Sequence, residues 1–170
     1  VPAAVIGLII AISIKVDSKG PVFFIQERVG QNGRPFKLIK FRTMHNNSEL
    51  DGPQFAKEND SRVTRVGKFL RKTRLDELPQ IINVIRGDMS FVGPRPEQIP
   101  FARQFEDKIP YYNLRYSLKP GLTGWAQINR GYTSGFDDTK EKLEYDLFYL
   151  RYESPWLDLL ILFKTLKIVL

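Results

Sequence analysis

Residues 1–14 read VPAAVIGLIIAISI and carry no charge; Lys15 and Asp17 end the run. A helix that crosses a bilayer needs about 20 apolar residues, so this stretch is too short to span one. Two placements suit it: a helix buried in a core, or a segment that dips into a membrane. Pro2 is tolerated in a first helical turn but would break a longer helix. No run of small residues that reads as a cleavage site follows, which speaks against a signal-peptide core. A second apolar stretch, residues 156–170, contains only Asp158, Lys164 and Lys167 as charges. It is also short for a span, and fits a core, an interface or a partner contact. The chain starts without methionine and stops inside apolar sequence, so it reads as a piece of a longer protein.

Between these runs the chain is polar and basic. At 170 residues, residues 1–170 read as one domain. A hydrophobic share of 42% allows an ordinary core. Lys and Arg number 26 against 19 Asp and Glu, a net charge of +7. Such a surface attracts anions: nucleic acid, phosphate esters or acidic lipid. There is no cysteine and a single histidine, His45. A disulfide framework, a thiolate zinc site, a cysteine nucleophile and a multi-histidine metal site are therefore excluded. A Ser-His-Asp triad would have to run through His45, which reads as a surface residue in a polar loop.

Local patterns give an order of elements. Residues 20–26 (GPVFFIQ) predict a strand, Gln31-Asn32-Gly33 a turn, and residues 35–43 (PFKLIKFRT) a second strand, together a hairpin. Residues 46–60 predict a polar loop. Residues 61–75 carry Arg62, Arg65, Lys68, Arg71, Lys72 and Arg74 and no acid, with Val63, Val66, Phe69 and Leu70 on one helical face. That is a basic amphipathic helix, fit for an anionic surface, a phosphate ligand or simple solvation. A second helix is expected from Thr73 as N-cap to Arg86, with Gly87 beyond its end and a stripe of Leu78, Ile81, Ile82 and Ile85. Helices are expected over 97–112 and 137–152, turns over 119–125, and a short strand over 126–129. Arg86-Gly87-Asp88 reads as a helix end and not as an adhesion motif.

The chemistry-bearing candidates are few. Asp76 and Glu77 fall in the expected first turn of the second helix, where free N–H groups and the helix dipole favour carboxylates. First-turn acids are common, so position alone means little. Their setting is unusual: cations precede them, and Arg86 and Arg95 follow. A carboxylate among cations stays ionised and can serve as a nucleophile or as a ligand for a divalent metal. Arg95, between Pro94 and Pro96, is a pre-stiffened guanidinium suited to a phosphate. Lys37, Lys40 and Arg42 on the second strand fit either phosphate binding or an edge-strand charge pattern. These features point to phosphate esters without naming a reaction. A recognition-helix motif and an aromatic stacking platform are both missing, which sets nucleic acid aside.

Three motifs in order then resemble one family: residues 20–44 (GPVFFIQERVGQNGRPFKLIKFRTM), 71–97 (RKTRLDELPQIINVIRGDMSFVGPRPE) and 119–128 (KPGLTGWAQI). They resemble the bacterial sugar transferases, the monotopic phosphoglycosyl transferases that make polyprenyl-diphosphate-sugars. The C-terminal stretch resembles the exopolysaccharide and O-antigen branch. The resemblance implies an α+β fold, predominantly helical, with a small β-hairpin, on one leaflet of a membrane. Residues 1–16 would be the second half of a re-entrant helix broken at Pro2, and residues 156–170 an apolar C-terminal helix. It implies transfer of a hexose-1-phosphate from a UDP-sugar to undecaprenyl (polyprenyl) phosphate with release of UMP, at the cytoplasmic face of the bacterial inner membrane. Asp76 matches the nucleophile, Glu77 the second acid of the dyad, and both would meet magnesium (Mg²⁺). Lys40, Arg42 and Arg95 match the family's substrate-binding cations. A homodimer is compatible with the resemblance, and no nucleic-acid partner is implied. No residue chooses the sugar. The rival expectations are a non-catalytic membrane or lipid-phosphate binding module and an inactive fragment of such a transferase.

Overall fold

The uncharged N-terminal run forms helix α1 (Pro2–Asp17), with Pro2 as its first residue, where a missing N–H costs nothing. The computed structural model describes residues 2–46, 48, 60–130 and 136–169. Strands β1 (Phe23–Val29) and β2 (Pro35–Phe41) form a hairpin. Helices α2 (Arg65–Lys72) and α3 (Ile81–Arg86) follow, joined by a 3₁₀ turn, Leu75–Gln80. Then come β3 (Ser90–Val92), α4 (Ile99–Lys108), a 3₁₀ segment Tyr112–Ser117, β4 (Gly121–Thr123), α5 (Trp125–Arg130), α6 (Phe136–Tyr152) and α7 (Pro155–Val169). The architecture is α+β and mostly helical, as expected. Among the described residues no helix is long and apolar enough to cross a membrane.

The chain forms two compact units interleaved in sequence: Val1–Ile25 with Ile39–Pro79, and Gln26–Leu38 with Gln80–Leu170. In the first, Ile10 and Ile14 of α1 pack with Phe41 and Leu70, and Val22, Val66, Leu75 and Leu78 close the cluster. Each such side chain contributes at most about 1.5–3 kcal/mol by leaving water. The rest of α1 is left bare: Val5, Leu8, Ile9, Ile12 and Val16 are exposed. Helix α2 is held from both sides at its start. Thr64 Oγ1 accepts from Gly67 N–H at 2.9 Å, and Asp17 Oδ2 accepts from Val66 N–H at 2.9 Å. Gly67 is required by packing, because a Cβ there would run into the carbonyl of Thr43.

The second unit holds the hairpin turn, where Asn32 and Gly33 take the left-handed region at φ 56° and 73°. Its centre is a parallel pair, β3 with β4, in register Ser90↔Gly121 and Val92↔Thr123. A parallel pair needs a long crossover, which α4 and the following 3₁₀ segment supply. Gly121 and Gly124 lie against the backbone of Gly93, closer than any Cβ allows. The apolar residues of this unit gather in two clusters: Phe105, Ile109, Tyr112 and Leu143, and Val92 of β3 with Tyr149 and Ile161.

Several expectations need correction. Strand β1 begins three residues later than the 20–26 pattern indicated. The basic helix is only Arg65–Lys72, and Phe69 is exposed. Thr73 does not open the next helix: its N–H and its Oγ1 both donate to the Phe69 carbonyl, so it closes α2. The expected stripe fails at Ile82 and Ile85, which are exposed, while Asn83 is wholly buried and donates to Lys37 O at 2.8 Å. Here a polar residue with a strong backbone partner takes the inward position. Gly87 does end α3, in the left-handed region. Residues 121–123 form a strand where turns were expected, and 126–129 are helical where a strand was expected. The loop over 46–60 lies largely outside the described residues.

Candidate active site

The first unit brings the acid pair and Lys40 together. Helix α2 stops at Thr73, and Arg74 takes the left-handed region at φ 58°, a conformation an arginine adopts at some cost. That bend turns the chain into the 3₁₀ segment Leu75–Gln80, in which Asp76 and Glu77 stand in the first turn. Both are buried, at 8% and 9% exposure, which is rare for carboxylates unless they have a task or a partner. Glu77 has one: Lys40 Nζ on β2 donates to its Oε1 at 3.0 Å, with both side chains mostly buried. Strand β2 thus delivers a cation to the turn that carries the acids.

Arg42, two residues along β2, is spent inside the protein. Its Nε donates to Pro21 O at 2.5 Å, Nη1 to Ser18 Oγ at 2.7 Å and Met44 O at 3.3 Å, and Nη2 to Ser18 O at 3.0 Å. Burial lowers its affinity for a proton, and Asp17 offsets part of that. It braces the connection between α1 and β1. Part of the basic stretch is also engaged within the unit: Arg62 is neutralised by Asp60, to which it donates through Nε and Nη2, and Arg71 Nε donates to Thr43 Oγ1. Arg65, Lys68 and Lys72 are exposed.

Arg95 belongs to the second unit. It sits half-buried on a segment between β3 and α4 in which the carbonyls of Pro94, Arg95, Pro96 and Glu97 all accept hydrogen bonds. Beneath it is a buried ionic cluster that sequence patterns missed. Arg115 donates through Nε to Asp146 Oδ2 at 3.0 Å, with Nη2 in an ion pair 2.8 Å from the same oxygen, and through Nη1 to Tyr112 Oη at 2.6 Å. Burial alone would lower Arg115, yet Tyr112, Asp146 and Glu97 raise it well above the ordinary arginine value. Burial pushes the Asp146 carboxyl up, and Arg115 pulls it partly back. Lys142 is pushed down by burial, with Arg95 and Arg115 adding to the effect against Glu97 and Asp138. One signal was available: Asp146 stands on the buried face of α6, between Leu143 and Tyr149.

Two buried, adjacent carboxylates suit a hard cation. Mg²⁺ is commonly held by one or two carboxylates together with substrate phosphates. Among the described residues no group of three or more acid, histidine or cysteine side chains offers a fuller ligand set. As a pair of carboxylates, Asp76 and Glu77 fit the chemistry of an ion whose other ligands are phosphate oxygens and water.

The first unit thus holds a dyad of buried acids with a paired lysine, and the second a braced segment that carries Arg95. The chain belongs to the bacterial sugar transferase family, whose model matches residues 1–170. It is 53% identical over 160 residues to the UDP-N-acetylgalactosamine-undecaprenyl-phosphate N-acetylgalactosaminephosphotransferase of Aeromonas hydrophila, covering 94% of this chain and 38% of that protein. It is 51% identical to the UDP-glucose:undecaprenyl-phosphate glucose-1-phosphate transferase of Klebsiella pneumoniae, covering 93% and 34%. It is 39% identical to the galactosyl transferase CpsE of Streptococcus agalactiae, covering 100% and 41%. The chain thus spans little more than a third of the length of these relatives.

Proposed function

We propose that this chain is the catalytic part of a phosphoglycosyl transferase that moves a sugar-1-phosphate from a UDP-sugar to undecaprenyl phosphate and releases UMP. The observation that carries the reading is the buried Asp76–Glu77 pair beside Lys40, in a chain matched by the family along its whole length. An Asp76 oxygen attacks the sugar-bearing phosphorus. The bond to the bridging oxygen breaks, and its electron pair leaves with UMP. An oxygen of the lipid phosphate then attacks the same phosphorus, the aspartyl–phosphorus bond breaks, and Asp76 is restored. Splitting the transfer lets the nucleotide leave before the lipid arrives. Glu77, oriented by Lys40, and Asp76 would hold Mg²⁺, which would supply charge neutralisation at the phosphate oxygens. Arg95 binds a substrate phosphate. Arg42 supports the site from behind by fixing the backbone around β2.

The same reading places the chain at the cytoplasmic face of the bacterial inner membrane. The bare apolar surface of α1 supports the membrane contact in this reading, as do the exposed Trp156, Leu159, Phe163 and Leu166 of α7. The relatives' names span N-acetylgalactosamine, glucose and galactose, so the sugar is to be found by assay.

The test is UMP release by the full-length protein from a panel of UDP-sugars, with undecaprenyl phosphate and Mg²⁺ in nanodiscs. One donor should give UMP, Asp76→Asn should reduce its release by at least a thousandfold, and chelation should stop it reversibly. Undiminished release by Asp76→Asn would remove the nucleophile assignment. Binding of lipid phosphate with no turnover from any donor would replace the enzyme by a binding module.

A further inference from the structure

The segment carrying Arg95 is pinned at four consecutive carbonyls. Pro94 O accepts from Gly121 N–H at 2.9 Å, Arg95 O from Arg115 Nη2 at 2.9 Å, Pro96 O from Arg28 Nη1 at 3.1 Å, and Glu97 O from Val29 N–H at 3.0 Å. Pro94 and Pro96 fix their own φ, and Pro96 confines Arg95 to extended backbone. Rotation of the peptide that follows the Arg95 Cα is one of the freedoms the prolines leave. The carbonyl of that peptide is the one Arg115 holds.

We propose that Arg115 is a positioning residue for Arg95: its guanidinium, braced by Asp146 on α6 and Tyr112 on the 3₁₀ segment, fixes the backbone from which Arg95 reaches a substrate phosphate. The inference rests on the reading of Arg95 as a phosphate ligand. The chemistry explains why an arginine stands here. A buried ion pair is seldom the cheapest source of stability, and apolar side chains of equal volume often serve as well. A guanidinium, however, offers a rigid fork of donors. This one serves Asp146, Tyr112 and the Arg95 carbonyl at once, and so ties three separate stretches of chain to one plane. A lysine at the same position supplies the charge but not the fork.

The test is a double-mutant cycle in the full-length protein, following UMP release under enzyme excess so that slow variants stay measurable. Misplacing a positioned group by about an ångström costs up to about a hundredfold in rate. Arg115→Lys should therefore lower kcat/KM by about ten- to a hundredfold, with the same division between kcat and KM that Arg95→Ala shows. In the Arg95→Ala background the same Arg115→Lys change should cost less than about twofold, because the group it positions is gone. An equal loss in both backgrounds, or no loss in either, overturns the proposal and leaves Arg95 as a phosphate ligand. Wild-type kinetics for Arg95→Ala would instead overturn the phosphate-binding reading, and the positioning role with it. If Arg115→Lys loses its cooperative thermal transition, Tyr112→Phe takes its place. That change removes one acceptor, leaves the Asp146 pair, and should cost about two- to fivefold in the Arg95 background alone.

Discussion

At the scale of single residues, the site depends on contacts that leave little slack. Lys40→Ala leaves the Glu77 carboxylate buried without this cation. Losing one partner of a buried charged pair costs about 1–3 kcal/mol, so the urea midpoint should fall accordingly, and UMP release should fall with it. Gly67→Ala puts a methyl group into the Thr43 carbonyl. Overpacking of this kind costs about 1–3 kcal/mol, and a lower thermal midpoint is expected; an unchanged one would mean that α2 is free to shift. Asp76, Glu77 and Lys40 were legible in the sequence as candidates because acids among cations are conspicuous. Arg42 was legible only as a cation. That its donors serve Pro21, Ser18 and Met44 follows from the path of the chain after α1, which no local pattern encodes.

At the scale of elements, α2 is short and depends on its start. Asp17, at the end of α1, accepts the Val66 N–H, and that hydrogen bond is the main cause holding its carboxyl below the ordinary value. A depressed folded value means that the contribution is present above the unfolded value and is lost as pH falls through the folded one. Asp17→Asn should therefore lower stability at neutral pH, by less than about 1 kcal/mol at this partly exposed cap. The difference between variant and native protein should shrink below about pH 4. A gap that stays constant down to pH 2 would show that the Asp17 charge is idle. The same region shows where periodicity misleads. Residues 73–86 read as one helix, but Thr73 completes the α2 end, Arg74 bends the chain, and Pro79 falls in the 3₁₀ turn before α3. Local pattern marked the Gly87 stop because a left-handed terminus is a one-residue requirement. It missed the Thr73 stop because a threonine caps either end of a helix.

At the scale of the whole molecule, α1 divides its apolar residues between two tasks. Ile10 and Ile14 face the core, and Leu8, Ile9 and Ile12 face outward. Ile14→Ala should cost about 2–4 kcal/mol in unfolding free energy, as expected for a large core side chain cut to alanine. Replacing Leu8, Ile9 and Ile12 by serine should leave the fold intact and reduce flotation with vesicles containing anionic lipid. Unchanged flotation would remove α1 as a membrane contact. The N-terminal run by itself could not apportion these roles, since every residue in it is apolar and only packing partners tell the faces apart.

The motif resemblance supplied the class of fold and helix α7, while the residues by themselves determined the hairpin, the long helix α6, and the acids and cations of the candidate site. The latter rest on hydrophobic period, turn residues and side-chain type, which act over a few neighbouring positions. Tertiary structure alone decided that β3 and β4 pair in parallel across a crossover, that Arg42 braces the chain, and that Arg115, Asp146 and Tyr112 meet beneath Arg95. Each of these joins residues far apart along the chain. Burial makes such contacts obligatory, because a carbonyl or a charge removed from water must find its partner wherever the fold supplies one.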